Sequence, residues 1–417
     1  MLLKDKNVIT NFIYLCILQI SNYVIPFLID PYLIRTLTIE NYGKISFGLV
    51  FIMYLVMIIE YGFNLSATRE ISIYQNNNKK ISEIFFSVIS AKFILMIFTI
   101  LILFLILYVF KLAKFSQEKK MFIYYTPMLL GYTFFPVWLF QGMEKMKYIT
   151  YYNIGIKLFS CLCIFLIVKR DVQYEIVALI RGLSFLIMGL LSFFISIKKF
   201  RIKFSFYSIS FYKVIKRLNQ GKYIFFSTVV VSFYRMVPAI YVGIKFSYVE
   251  AGYYILADKL IRTGCNLLEP IKQAIYPYFS KNLMNNRDNV IEEAKYIIKI
   301  FALLIAIGSI IIWFLIPTII KIFTGNINLE TQKLLRIFLF IPLFTSIAGV
   351  LGTQLMLNLN LQKEFFFILV FSGILSIILL IAFSFLFSIN GVAITVTFIE
   401  FLVMVLMYVV LKKKEFL

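Results

Sequence analysis

Apolar runs about as long as a bilayer is thick alternate along this chain with short polar connections. Phe93–Phe110 and Phe365–Phe387 are close to wholly apolar. A helix rises about 1.5 Å per residue, so each run can cross roughly 30 Å of hydrocarbon. The pattern predicts twelve helices, over 8–34, 43–63, 83–110, 121–140, 148–168, 175–196, 221–244, 251–272, 296–317, 333–356, 364–387 and 390–411. An even number returns both termini to one side. No basic stretch, apolar core and small-residue cleavage site opens the chain, so the first span is expected to be the insertion signal.

The pattern repeats. TIENYGKISFG follows the first span and SYVEAGYYILAD follows the seventh, with Tyr42-Gly43 and Ala251-Gly252 209 residues apart. Displaced by that offset, Pro26 and Pro31 straddle Pro238, and Pro127 and Pro136 straddle Pro342. Proline removes a helix hydrogen bond, so the expectation is four spans broken at matching places. The fold class that follows is an all-α polytopic membrane protein of two six-helix lobes, related by a parallel pseudo-two-fold along the membrane normal, around a central cleft. The lobes are expected over 1–196 and 221–417, joined by a basic connection over 197–220. Paired interruptions of this kind also point to a transporter's site.

Charge decides sidedness. Of 42 Lys and Arg, 24 fall on the side of the termini, 12 on the other and six within spans. This bias places both termini in the cytoplasm. The net charge of +22 needs no nucleic acid, since topology and anionic lipid account for it. In the connection, Phe211, Val214, Ile215 and Leu218 keep helical spacing while Lys213, Lys216 and Arg217 face away. That predicts an amphipathic helix on the inner membrane surface. The four cysteines lie in apolar segments without a CxxC, and histidine is absent. The commonest general base and transition-metal ligand is therefore missing. No catalytic residue, metal or cofactor is expected.

Charges within the spans carry the functional signal, because each costs roughly 2.5–3.5 kcal/mol at mid-bilayer on insertion scales. Asp30 lies on a polar stripe with Gln19, Asn22, Tyr23 and Pro26, and Glu60 ends the second span. Lys92 and Lys157 can snorkel along their stems. Arg181 lies in the sixth span, Arg235 in the seventh and Glu400 in the last. Asp258, Arg262, Asn266 and Glu269 share a face of the eighth. Asp258 and Arg262 can pair locally, whereas Arg235 has no carboxylate three or four residues away. Arg69 is placed at the inner mouth of the cleft, just after Gly62 and Asn64 end a helix, and Ser66 can cap the next one. A net cationic cleft suits phosphate, which the arginine fork binds through two oxygens.

QISNYVIPFLIDPYLIRTLTIENYGKISF, EYGFNLSATREIS, LFQGMEKMKY and AIYPYFSK resemble the polysaccharide flippases, which move undecaprenyl-pyrophosphate-linked O-antigen or capsule repeat units. These are similar to the multidrug exporters and lipid II flippases. The resemblance implies alternating access in an inner (plasma) membrane, a monomer, a lipid-linked oligosaccharide substrate and a polysaccharide polymerase machinery as neighbour. Lipid II flippases carry Arg-Asp in the first helix; the matching pair here is Ile29-Asp30, and Arg35 is the nearest substitute. Arg35, Arg69, Arg181, Arg235 and Arg262 are thus the candidate substrate contacts. Asp30, Glu60 and Asp258 are the candidates for coupling to Na⁺ or H⁺. A multidrug exporter would favour an acidic, aromatic cavity. A major facilitator would carry G-x-x-x-D-[RK] after the second span, which NLSATREIS lacks. An O-antigen polymerase, an enzyme, would need a large outer loop, and the connections near Lys111–Lys120 and Ile319–Gln332 are short.

Overall fold

A computed structural model describes residues 6–110, 112–204, 210–266, 279, 287–326, 328–414 and 416. Lys4, Lys111, Glu269, Lys272, Lys281 and all of the AIYPYFSK stretch except Phe279 lie outside them. The described residues are overwhelmingly helical and include no strand. The helices are α1 (Lys6–Thr36), α2 (Ile39–Glu60), α3 (Phe63–Ile73), α4 (Asn78–Phe104), α5 (Ala113–Gln117), α6 (Lys119–Phe134), α7 (Val137–Gly142), α8 (Met146–Ile167) and α9 (Tyr174–Lys199). They continue with α10 (Phe211–Arg235), α11 (Val237–Lys245), α12 (Tyr248–Asn266), α13 (Arg287–Thr324), α14 (Leu329–Phe338), α15 (Ile341–Gly349) and α16 (Gln362–Lys413). Among the described residues, eight helical segments are long and apolar enough to cross a membrane, and a bent pair makes a ninth. Large apolar side chains such as Phe314, Phe385 and Leu386 are left exposed. That is the surface a polytopic membrane protein turns to lipid.

The starts of α2, α4 and α6 recur in α12, α13 and α14, about 209 residues on in each case. The prolines behave less uniformly than expected. Pro26, Pro31 and Pro127 sit inside continuous helices, because one missing hydrogen bond bends a long ladder without ending it. Pro136, Pro238 and Pro342 each open a new helix after a break. The break at Met236 bends the α10–α11 pair by 47°. In α16, Ser388 leaves the helical region at φ 54°, ψ −138°, between the two expected final spans.

The chain forms two compact units, Met1–Thr228 and Val229–Leu417. In the first, α6 and α9 meet backbone to backbone. A Cβ added at Gly189 would lie 2.2 Å from the Gly131 carbonyl oxygen, and one at Gly182 would lie 2.4 Å from that of Tyr124. Without a hydrophobic drive between helices in lipid, such close approach supplies the dispersion contact that holds them. A second core gathers Phe63, Phe85 and Trp138 with Val214 of α10. The second unit packs Tyr234, Phe301, Ile399, Val403 and Met407 together.

Local turns follow from the sequence. Thr38 caps α2, and Asp171 adds a cap from a distance, accepting from the Thr38 amide and the Asn41 side chain, both at 2.8 Å. The helix ends on two successive left-handed residues, Tyr61 (φ 45°) and Gly62 (φ 79°). A side chain at Gly62 would also collide with Ile224, 2.6 Å away. Gly62 is therefore the cap of α3. Ser66, expected to cap that helix, lies inside it and donates to the Gly62 carbonyl instead.

Candidate functional site

Among the described residues, most in-span charges lie beside a counter-charge. Lys92, long enough to snorkel, is fully buried instead, and its ammonium donates to Glu60 Oε1 at 3.0 Å and to the Tyr132 carbonyl at 2.6 Å. The reason is Pro136. Helical geometry would have the amide of residue 136 bond Tyr132, and proline has no such amide. The Lys92 ammonium fills the vacant acceptor, and Glu60 balances its charge. Asp30, also buried, is within electrostatic reach of Arg181, as are the buried Tyr42 and Tyr125. Lys157 donates to Asn22 of the α1 polar stripe.

A second cluster lies wholly within the second unit. Asp258 accepts from Arg262 Nε through both carboxylate oxygens, each at 2.8 Å. Arg262 also reaches the Arg235 carbonyl at 3.4 Å. The Arg235 side chain is 49% exposed and stands 3.9 Å from Glu400 Oε1. The buried Tyr234 ring lies beside it, its centroid 6.0 Å from the guanidinium carbon. Glu400 is only 3% exposed. Sequence spacing found the Asp258–Arg262 pair but not the partner of Arg235, which comes from 165 residues further along (400 against 235).

Arg69 sits elsewhere, on an open pocket of about 430 Å³ lined by Leu65, Ile73, Gln220 and Ile224. The neighbouring basic connection differs from expectation. Lys213 and Arg217, expected to face away from the apolar stripe, are buried together with Val214, while Ile215 and Lys216 are exposed. Of Phe211 only the backbone is among the described residues. Arg217 pairs with Glu70 and donates to Ser87 at 2.9 Å, and Lys213 reaches Glu83 at 3.0 Å. Carboxylates on α3 and α4 thus turn the helix by a fraction of a turn from the face its apolar residues prescribe. Of the five candidate arginines, Arg235 and Arg262 come together; Arg35 is exposed in the last turn of α1, Arg69 lies on its pocket and Arg181 beside Asp30. Each of the three candidate carboxylates, Asp30, Glu60 and Asp258, faces a cation.

The model of a family described as polysaccharide biosynthesis protein matches residues 8–283. The chain belongs to that family. A putative O-antigen transporter of Escherichia coli (strain K12) is 32% identical over 98% of this chain and 97% of its own length. Solved structures that share the fold of this chain include two transporters. The lipid II flippase MurJ in an inward closed conformation has TM-score 0.73 at 17% identity, over 98% of this chain and 89% of that one. An inward-facing multidrug resistance MATE family transporter of the MOP superfamily has TM-score 0.70 at 13% identity, over 95% and 94%.

Proposed function

We propose that this chain is a flippase carrying undecaprenyl-pyrophosphate-linked oligosaccharide repeat units, of O-antigen or capsule, from the cytoplasmic to the outer leaflet. It works by alternating access of two six-helix lobes and catalyses no covalent step. Similarity over nearly the full length of the protein named putative O-antigen transporter carries the reading. The lipid II flippase and multidrug exporter are the alternatives, but at 17% and 13% identity they share fold alone. The chain acts in the plasma membrane as a monomer, with both termini cytoplasmic, and hands its cargo to a polymerase machinery.

In this reading the transport route is net cationic. Lys92, Lys157, Arg181, Arg235, Lys259 and Arg262 outnumber the in-span carboxylates Asp30, Glu60, Asp258 and Glu400 among the described residues. Arg235 is the foremost pyrophosphate contact, since it is half exposed while Asp258 occupies Arg262. Arg35, Arg69 and Arg181 serve as further anion contacts along the route. Asp30, Glu60 and Asp258, each next to a cation, are where Na⁺ or H⁺ would couple.

Surface glycan export tests this. Arg235→Ala should cut export at least tenfold at unchanged protein level, and Arg262→Ala should cut it less. Arg235→Lys should restore only part, because it keeps charge but not the two-oxygen fork. Normal export by both alanine variants would overturn the reading.

A further inference from the structure

We infer that Glu400 is an internal counter-anion that the cargo's phosphate displaces from Arg235, and that its return helps to expel the cargo. The inference rests on the flippase reading above, in which Arg235 meets the pyrophosphate.

The geometry is that of a poised exchange. Two arginines and two carboxylates make the second-unit cluster formally neutral, and the two pairs are unequal. Asp258 holds Arg262 at 2.8 Å through both oxygens. Glu400 reaches Arg235 only at 3.9 Å, and its Oε1 has no hydrogen-bond partner among the described residues. The groups that act electrostatically on Glu400 are Arg235 and Tyr234 of α10, and Arg262 and Cys265 of α12; Thr345 of α15 adds a hydroxyl beside Cys265. Both cations among these neighbours are thus shared, Arg262 with Asp258 and Arg235 with solvent-facing space.

A carboxylate this buried is tolerated only with a cation nearby. A guanidinium beside it, in contrast, is half exposed and presents open donors. Phosphate bound at normal hydrogen-bond length, about 2.8 Å, outcompetes a carboxylate held at 3.9 Å. The empty site therefore stays neutral in the membrane, which spares it the insertion penalty of a lone arginine. The loaded site carries an extra anion next to Glu400, and that repulsion opposes retention of cargo. Glu400 acts through Arg235 and touches no part of the cargo.

The test uses the full chain in nanodiscs, with undecaprenyl pyrophosphate as probe, alongside glycan export in cells. Glu400→Gln removes the competing charge at nearly constant shape. Probe affinity should rise at least fivefold, the lower end of ordinary coupling between sites, while export slows. In an Arg235→Ala background, where probe affinity is lost, Glu400→Gln should restore none of it. Glu400→Asp, which draws the carboxylate back by one methylene, should shift affinity in the same direction by less, and it decides the question should Glu400→Gln not fold. Lost binding in Arg235→Ala with unchanged or weaker binding in the Glu400 variants would overturn this inference alone. Wild-type binding by Arg235→Ala would overturn the arginine contact itself, and this inference with it.

Discussion

Replacing Lys92 by Met should destabilise the first unit more than any other single loss of charge in it. The side chain is fully buried and holds three acceptors, Glu60 Oε1, the Tyr132 carbonyl left open by Pro136 and, at 3.5 Å, the Phe135 carbonyl. Removing one partner of a buried ion pair costs about 3–5 kcal/mol. Glu60 Oε2 is already buried without a hydrogen-bond partner among the described residues, so the stranded carboxylate gains no relief from water there. The orphaned carbonyl adds about 1–3 kcal/mol. Lys92→Met should therefore cost about 4–8 kcal/mol, enough to abolish a marginal fold. Glu60→Gln together with Lys92→Met removes the stranded charge and leaves only the carbonyl and a neutral amide. The double variant should be more stable than Lys92→Met alone, by about 2–3 kcal/mol. Denaturant unfolding of purified protein in mixed micelles, followed by tryptophan fluorescence, reads the difference; Trp138 lies in the core beside this site. A double variant no more stable than Lys92→Met, or a Lys92→Met variant as stable as wild type, would refute the argument.

Two further outcomes are expected, the first from the structure and the second from the charge bias along the chain. Arg217→Met should loosen the start of α10 from α3 and α4, since Glu70, Ser87 and Gln220 all lose their donor; faster proteolysis within 197–210, with Arg217→Lys in between, is the expected readout, and unchanged cleavage would count against it. Cysteine introduced at position 416 of a cysteine-free chain should label only after permeabilisation, whereas one within 112–120 should label in intact cells; labelling at 416 in intact cells would reverse the assigned topology.

Much of the architecture was legible in the chain because its causes are local or periodic. Apolar length sets which segments can cross lipid, and a repeat of about 209 residues survives as matched helix starts, from Ile39 to Tyr248 and from Asn78 to Arg287. The Asp258–Arg262 pair could be read from spacing, since four residues are one helical turn. Sequence spacing did not reveal how long-range contacts settle the other charges. Arg217 reads as a solvated face of an amphipathic helix until Glu70, distant in sequence, is brought beside it. Lys92 reads as a snorkelling side chain until α6 breaks at Pro136 and leaves Tyr132 without a donor. Pro26 and Pro136 are the same residue in similar apolar runs, yet only the second ends a helix. In an apolar medium a charge or a bare carbonyl must find a partner wherever packing supplies one. The number of such groups the membrane must accommodate is set by the sequence alone; which group answers which was decided only when the helices packed.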